Sequence, residues 1–432
     1  MDLLSAVRAK AEQAEVYSVS SESTEIHFEA NEMKSATVQE TQGTALRVIV
    51  DGRLGFAAAS GTVPEGELVE NALASARYGD QVAITFPAAA TGPEVKTYDP
   101  ELANVPIPRL VEIGREIIET LRAIDPDAQI GVDIDRSLDR FSLRNSAGAD
   151  VADQSSSFAV SVTVERVRGD DVLMVYDSVY DISFSENYRE AVQRLADKVE
   201  RAKRPAKLRP GRLPIIFSPS GAMVLGLPIM LGVNGQNVQR GTSPMRDRLG
   251  EQLFDARLTL WDDPTIPARP RSSSYDQEGV PCRRKALIQH GTCAEFLYDL
   301  RTAAMMETQS TGNGARGLFS TPSPSPSNLI FAEGDQPVRE MLAGIEHGLL
   351  VESLLGLGQG NAISGAFSNA IGLGYLIDHG EITGRVKNVS IAGNIYENLR
   401  EIGAISRENY WVYGMLRMPY ILLPDMKVVG EE

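Results

Sequence analysis

An α+β fold is predicted for this chain: two similar helix–four-strand–helix units followed by a β-rich C-terminal domain. Three observations predict it. Period-3.6 apolar stripes flank clusters of strand-like runs, and the same order of elements occurs twice in the first half. The last third is punctuated by glycine and by short apolar runs, as in a sheet. At 432 residues there is material for two or three domains with real cores.

The first unit spans 1–85. Leu3, Val7, Ala11 and Ala14 have helical spacing, and no uninterrupted apolar run marks the N-terminus for export, so a cytoplasmic protein without a membrane span is expected. Strands are expected at Glu15–Ser20, Glu25–Glu29, Thr44–Val50 and Leu54–Ala59, the last two joined by a turn at Asp51-Gly52. Leu68, Val69, Ala72, Leu73 and Ala76 then share a helix face. Residues 86–108, rich in Pro, Ala and Gly, read as a linker.

The second unit, 109–205, repeats that order. Leu110, Ile113, Ile117, Leu121 and Ile124 mark a helix stopped by Asp125-Pro126. Strands are expected at Ala128–Ile134, Arg140–Asn145, Phe158–Val167 and Val172–Tyr180, then a helix with Tyr188, Ala191, Val192, Leu195 and Val199 on one side. The repeated order points to a structural duplication, although two unrelated α+β modules would give the same pattern. The basic run Lys198–Arg212 straddles a helix C-terminus, where positive charge is favoured by the dipole.

The third domain, 212–432, opens with a strand at Leu213–Phe217 and an apolar helix over Ala222–Val233 despite Pro228. Thr321–Ser327 (TPSPSPS) cannot hold a central strand. A short helix is expected between Asp335 and Glu346. From Glu346 to Gly393 apolar runs alternate with small residues, and Asp378-His379-Gly380-Glu381 reads as a hairpin turn. Gly356, Gly358, Gly360, Gly365, Gly372 and Gly374 lie in or beside strand pattern, where glycine weakens a sheet unless a bulge or a close backbone approach requires it. A β platform with something lying against it is expected here.

Composition excludes several functions. Acidic residues outnumber basic ones, 58 to 42, for a net charge of −16 that repels phosphate backbones and anionic lipid. No direct nucleic-acid or membrane partner is therefore expected. Two cysteines are too few for a disulfide framework. Cys282, His290 and Cys293 superficially offer three metal ligands, but a hairpin turning at His290-Gly291 would hold the cysteines roughly 15–20 Å apart. The remaining histidines, His27, His347 and His379, have strand, helix-end and turn settings and do not converge in sequence. Thr311–Gly317 lacks the ending of a P-loop, and no Gly-x-Ser-x-Gly elbow occurs. No catalytic or metal-binding residue is therefore assigned.

Several spaced motifs also carry a resemblance. Leu350-Val351-Glu352-Ser353-Leu354-Leu355-Gly356, then Gly358-Gln359-Gly360, Ile363-Ser364-Gly365, the Glu381 hairpin and Ile391-Ala392-Gly393-Asn394 resemble the C-terminal core of the TldD/PmbA family, on its PmbA (TldE) side. Ser274–Val280, Tyr298-Asp299-Leu300, Ser310-Thr311-Gly312-Asn313 and Leu422-Leu423-Pro424-Asp425-Met426 are similar to further family motifs in the same order. The resemblance covers the second half of the chain well and the first half only in element order.

In the TldD half of that family a helix carries His-Glu-x-x-x-His and a later Cys completes a zinc site. Two His one turn apart can face one ion while the Glu reaches its water. The corresponding segment here is Gly221-Ala222-Met223-Val224-Leu225-Gly226-Leu227, with no His, Glu or Cys. The resemblance thus implies no cofactor in this chain, and zinc in a TldD-like partner forming a heterodimer that processes unfolded peptide. A homodimeric peptide-binding scaffold is the alternative, and the family also carries the label modulator of DNA gyrase. Peptide-contacting candidates are Gly356, Gly358, Gly360, Ser364, Gly365 and Phe367 on the platform, with Asp276, Glu278 and Asn313 at its rim.

Overall fold

The computed structural model describes residues 3–61, 64–169, 171–359 and 361–430. The first half forms one antiparallel six-stranded sheet flanked by helices. Helix α1 (Leu3–Val7) precedes strands β1 (Gln13–Glu29), β2 (Glu32–Val50) and β3 (Arg53–Ser60), and α2 (Glu65–Ala76) follows. Helix α3 (Ile107–Ile124), strands β4 (Gln129–Asn145), β5 (Asp150–Arg168) and β6 (Asp171–Asp181), and helix α4 (Tyr188–Ala202) repeat the order. The strands run β3-β2-β1-β4-β5-β6, so the two units meet at β1 and β4 and mirror one another across that junction.

Each unit therefore has three long strands, not the expected four. Glu15–Ser20 and Glu25–Glu29 are parts of β1, and Ala128–Ile134 and Arg140–Asn145 are parts of β4. The polar stretches between them suggested breaks, but a ladder is built from backbone groups. Ser21 keeps register with Thr41 on one side and Asp139 on the other. One turn also has no glycine signal: Ala30 and Asn31 take φ of 49° and 71°, and the Asn31 side chain is held by hydrogen bonds with Ala128 and Ile130. The segment 86–108 is packed chain rather than a loose connection. Phe86 and Leu102 are buried, and a 3₁₀ turn spans Pro100–Asn104.

One face of the sheet buries Ile26, Phe28, Ile130, Val132, Ile134, Phe158, Val160 and Val162 under α3 and α4. The stripes that predicted these helices are the faces that pack: Leu110, Ile113, Ile117 and Leu121 on α3, Tyr188, Leu195 and Val199 on α4.

The second half is built on a ring of strands. β7 (Gly211–Phe217) pairs in parallel with the His347–Leu354 strand, which pairs with Ala366–Asp378. That strand pairs with Val389–Asn394, which pairs with Leu416–Gly430, and this last strand returns to β7. The hairpin turn expected at Asp378–Glu381 is present, with His379 and Gly380 at φ 47° and 83°. Helix α5 (Met223–Gly232) accommodates Pro228 and contributes Val224, Leu225 and Ile229 to the ring's own core. Ile216, Leu350, Leu373, Tyr375 and Ile377 point the other way, into the core shared with α3 and α4. The Tyr375 hydroxyl donates to the Lys198 carbonyl at 2.8 Å, tying the ring to α4.

The α3 contact contains a close approach. A Cβ on Gly114 would lie 2.2 Å from the Phe28 ring. Alanine is favoured over glycine in a helix by about 1 kcal/mol, whereas overpacking costs about 1–3 kcal/mol. Gly114→Ala should therefore lower stability, by about 1–2 kcal/mol in urea unfolding, and Phe28→Leu in the same chain should recover part of the loss.

Candidate functional site

The platform residues lie around a groove of about 300 Å³ between α5 and the Ala366–Asp378 strand. Val224, Leu227, Leu355, Leu357 and Phe367 give it apolar walls. Gly356, Gly358 and Gly365 line it at φ 72°, 79° and 75°, a region costly to L side chains, which explains those glycines. Gly365 is also sterically required, since a Cβ there would be 2.5 Å from the Tyr396 ring. Ser364 turns the chain into the strand, its hydroxyl donating to the Asn361 carbonyl at 2.8 Å. Gly360 lies outside the described residues.

The strand beside this groove has a free backbone edge. The Gly365 carbonyl accepts from the Ile395 amide at 2.9 Å, and Phe367 and Asn369 continue that alternation against the 389–394 strand. The peptide groups of Ala366, Ser368 and Ala370 therefore face away. Ala370 is used by Leu355, whose amide donates to its carbonyl at 2.9 Å. The Ala366 carbonyl and both peptide groups of Ser368 have no such partner among the described residues, and both residues are exposed.

Asp276 and Asn313 lie elsewhere, in a cleft of about 420 Å³ between the six-stranded sheet and the C-terminal loops, with Tyr17, Phe141 and Asp153 on the sheet side. Neither is an open rim residue. Asp276 accepts amide bonds from Glu278, Val280 and Gly314, each at 2.9 Å. Its burial, and then the charge of Glu278, outweigh those donors and push it up to about 7. The Asn313 amide donates to Asp262 at 2.8 Å and to the Ser325 carbonyl at 2.9 Å. Asp262 in turn pairs with fully buried Lys285 at 2.9 Å.

Glu278 reaches neither cavity and belongs to a buried charge network. Arg47 donates from Nε and Nη2 to Glu15 at 2.9 and 2.8 Å, and from Nη1 to Glu278 at 2.8 Å. The other Glu278 oxygen accepts the Leu300 amide at 2.7 Å. Arg316 lies 3.9 Å over the Tyr17 ring with Nη1 2.7 Å from Glu15. Two carboxylates and two guanidiniums thus balance with almost no solvent contact. Burial opposes ionisation of Glu15, but Arg47 and Arg316 outweigh it and hold its pKa below the ordinary value. Sequence reasoning missed Glu15, Arg47 and Arg316. Arg47 and Glu278 are 231 residues apart, and no local pattern connects them.

Cys282 and Cys293 are free and buried, and burial pushes the Cys293 thiol up to about 12 and that of Cys282 up as well. His290 and Gly291 form the expected turn, at φ 49° and 78°. Half-buried His27 bonds Asp133 at 2.6 Å. Among the described residues no helix is long and apolar enough to cross a membrane.

Removing Arg47 would leave two buried carboxylates facing one arginine. Arg47→Met should cost about 3–5 kcal/mol in chemical unfolding. Glu15→Gln in that background should cost less than the sum of the two single changes, since it removes one uncompensated charge. The Glu15 contribution should be present above the ordinary carboxylate range and be lost as pH falls through its depressed pKa.

Residues 210–430 match the PmbA/TldA metallopeptidase C-terminal domain, and residues 14–76 match PmbA/TldA metallopeptidase domain 1. An uncharacterised protein of Methanocaldococcus jannaschii is 26% identical over 90% of each chain. The metalloprotease PmbA of Escherichia coli O157:H7 is 28% identical over 52% of this chain and 48% of its own. The crystal structure of TldE from Thermococcus kodakarensis superposes with a TM-score of 0.91 at 26% identity, covering 99% of each chain. A Thermotoga maritima protein named as a modulator of a DNA gyrase shares the fold, with a TM-score of 0.90 at 21% identity over 99% of this chain and 98% of its own. Over half of this sequence matches one family model, and the chain belongs to the PmbA/TldD family.

Proposed function

We propose that this chain is a PmbA/TldE-type, non-catalytic subunit of a TldD-like zinc metallopeptidase complex, holding unfolded peptide while a partner subunit supplies the zinc. The observation that carries this reading is the free edge at Ala366 and Ser368 beside a groove with apolar walls. An extended peptide can add to such an edge through its backbone, gaining affinity with little sequence preference, while an alternate side chain enters the groove. Gly356, Gly358 and Gly365 keep the surface close to that backbone.

The zinc that the family implies does not fit here. Helix α5 reads MVLGLPIMLG, without imidazole, thiolate or carboxylate. Among the described residues, no group of three or more His, Cys, Asp or Glu side chains is placed to hold a metal ion. No hydrolytic step is therefore assigned to this chain, and its contribution is to bind and align peptide. A homodimeric peptide-binding scaffold without peptidase activity is the second reading, favoured by the same donor-poor helix. The net charge of −16 opposes direct DNA contact in either case.

Elemental analysis for zinc, paired with proteolysis of an unfolded peptide, tests the reading on the purified chain with and without a TldD-type partner. Zinc and cleavage should appear only with the partner; stoichiometric zinc and chelator-sensitive cleavage in the chain alone would overturn the assignment. Ser368→Pro removes the outward amide without touching the ladder. It should weaken peptide binding roughly tenfold while the fold is retained. Gly358→Leu should impair processing similarly, and unchanged processing in both variants would remove the platform from the mechanism.

A further inference from the structure

The cleft of about 420 Å³ between the six-stranded sheet and the C-terminal loops shares no lining residue with the platform groove. Its polar groups are unevenly spent. On the loop side most donors turn back onto the chain. The Ser273 hydroxyl donates to Asp153 and to the Tyr275 carbonyl, and the Ser327 hydroxyl to Asp262. The Asn313 amide is taken by Asp262 and Ser325, and Arg271 donates to the carbonyls of Pro326 and Ser327. What remains for a ligand is chiefly acceptors.

Three carboxylates line the cleft, Asp139, Asp153 and Asp276, and none is ion-paired with a basic side chain among the described residues. Asp153 and Asp276 are held by backbone amides and a serine hydroxyl. One oxygen of Asp139 accepts the Ser137 hydroxyl at 2.7 Å, and the other accepts no hydrogen bond among the described residues. Arg140 also borders the cleft, but alternation along the strand directs its side chain to the opposite face, beside Leu138 and Tyr98. The buried quartet behind the wall, Glu15, Glu278, Arg47 and Arg316, is balanced and does not offset these charges.

Tyr17 independently points to a ligand. Its side chain lines the cleft and is only 2% exposed, yet its hydroxyl makes no hydrogen bond among the described residues. Such a group is unfavourable unless something in the cleft bonds it. Burial, against the opposing charge of Arg316, pushes its pKa up to about 12, so it stays a neutral hydroxyl. The Phe141 ring stands beside it, with centroids 5.9 Å apart. The Tyr17 ring already carries the Arg316 guanidinium at 3.9 Å, a cation–π contact of the kind this wall can make.

We propose that this cleft binds an organic cation, an ammonium or guanidinium group that donates to Asp139 and the Tyr17 hydroxyl while its alkyl stem lies against Phe141. An anion would meet three carboxylates and few unspent donors. A metal ion is disfavoured, since among the described residues no three His, Cys, Asp or Glu side chains are placed to hold one. The volume suits a small ligand, and the net charge of −16 favours the approach of a cation. The cation can be a free amine or a basic side chain of a peptide. Because cleft and groove are separate, this site goes beyond the peptide-holding role and stands or falls apart from it.

Isothermal titration calorimetry on the purified full chain, with butylguanidinium and its neutral isostere butylurea, tests the site. Butylguanidinium should bind roughly tenfold more tightly than butylurea, and Asp139→Asn should weaken it by roughly the same factor. Tyr17→Phe should weaken it about threefold without lowering the urea-unfolding midpoint, since the hydroxyl has no partner in the chain to lose. Ser368→Pro and Gly358→Leu should leave this binding unchanged, so failure of the platform and failure of the cleft are read separately. A peptide with one arginine, set against the same peptide with citrulline, distinguishes the sources. Displacement of butylguanidinium by the arginine peptide alone marks a basic side chain as the occupant, and displacement by neither marks a small free cation. No butylguanidinium binding, equal binding of butylurea, or equal displacement by the citrulline peptide would overturn the proposal. Binding that either Asp139→Asn or Tyr17→Phe leaves unweakened would overturn it too.

Discussion

The structure depends on a buried network of four charges at the seam between the first-half sheet and the C-terminal domain. Glu15 and Arg47 come from neighbouring central strands, Glu278 and Arg316 from C-terminal loops. All four side chains are almost wholly buried, so losing any one of them would leave an uncompensated charge in a poorly solvated interior. The same loops carry Asp276 and Asn313, whose side chains are spent on backbone amides, a backbone carbonyl and the Asp262–Lys285 pair. The network therefore does more than join two layers. It sets where the cleft walls stand.

Helix α4 makes the second connection. Its apolar face closes the core over β4, β5 and β6, while the Lys198 carbonyl receives Tyr375 and the Lys198 ammonium pairs with Glu352 at 3.3 Å. Tyr375 and Glu352 lie on the two strands that continue toward the platform. The groove's strand is thus anchored at one end by a buried layer and left open at the other, where Ser368 is exposed. On the reading proposed above, an edge of this kind would bind by backbone geometry, a property suited to holding chains of varied sequence.

Much of the fold was legible in the sequence. The stripes on α3 and α4, the helix over Pro228, and the turns at Asp51-Gly52, His290-Gly291 and His379-Gly380 are local signals carried by residue type and spacing. The strand count failed where polar residues sit inside long strands. Ser21–Thr24 and Asp135–Asp139 read as breaks, but one sheet face meets water there, and backbone pairing tolerates them. The platform glycines were visible as a pattern. Their cause was not, because the ring of Tyr396 that excludes a side chain at Gly365 belongs to a different element.

What the sequence determined by itself was local: element types, most turns, the acidic balance, and motifs spaced closely enough to carry a family resemblance. Tertiary structure decided which of those residues meet. It gathered Gly356, Gly358, Gly365 and Phe367 around one groove, left Ser364 in the turn that leads into its strand, and moved Asp276 and Asn313 to another cleft. It also took Glu278 out of solvent to face Arg47. The physical reason is that burial and charge pairing are long-range properties. A glutamate two residues from an aspartate has the same local pattern whether it rims a cleft or neutralises an arginine 231 positions away, and only the packed chain distinguishes the two.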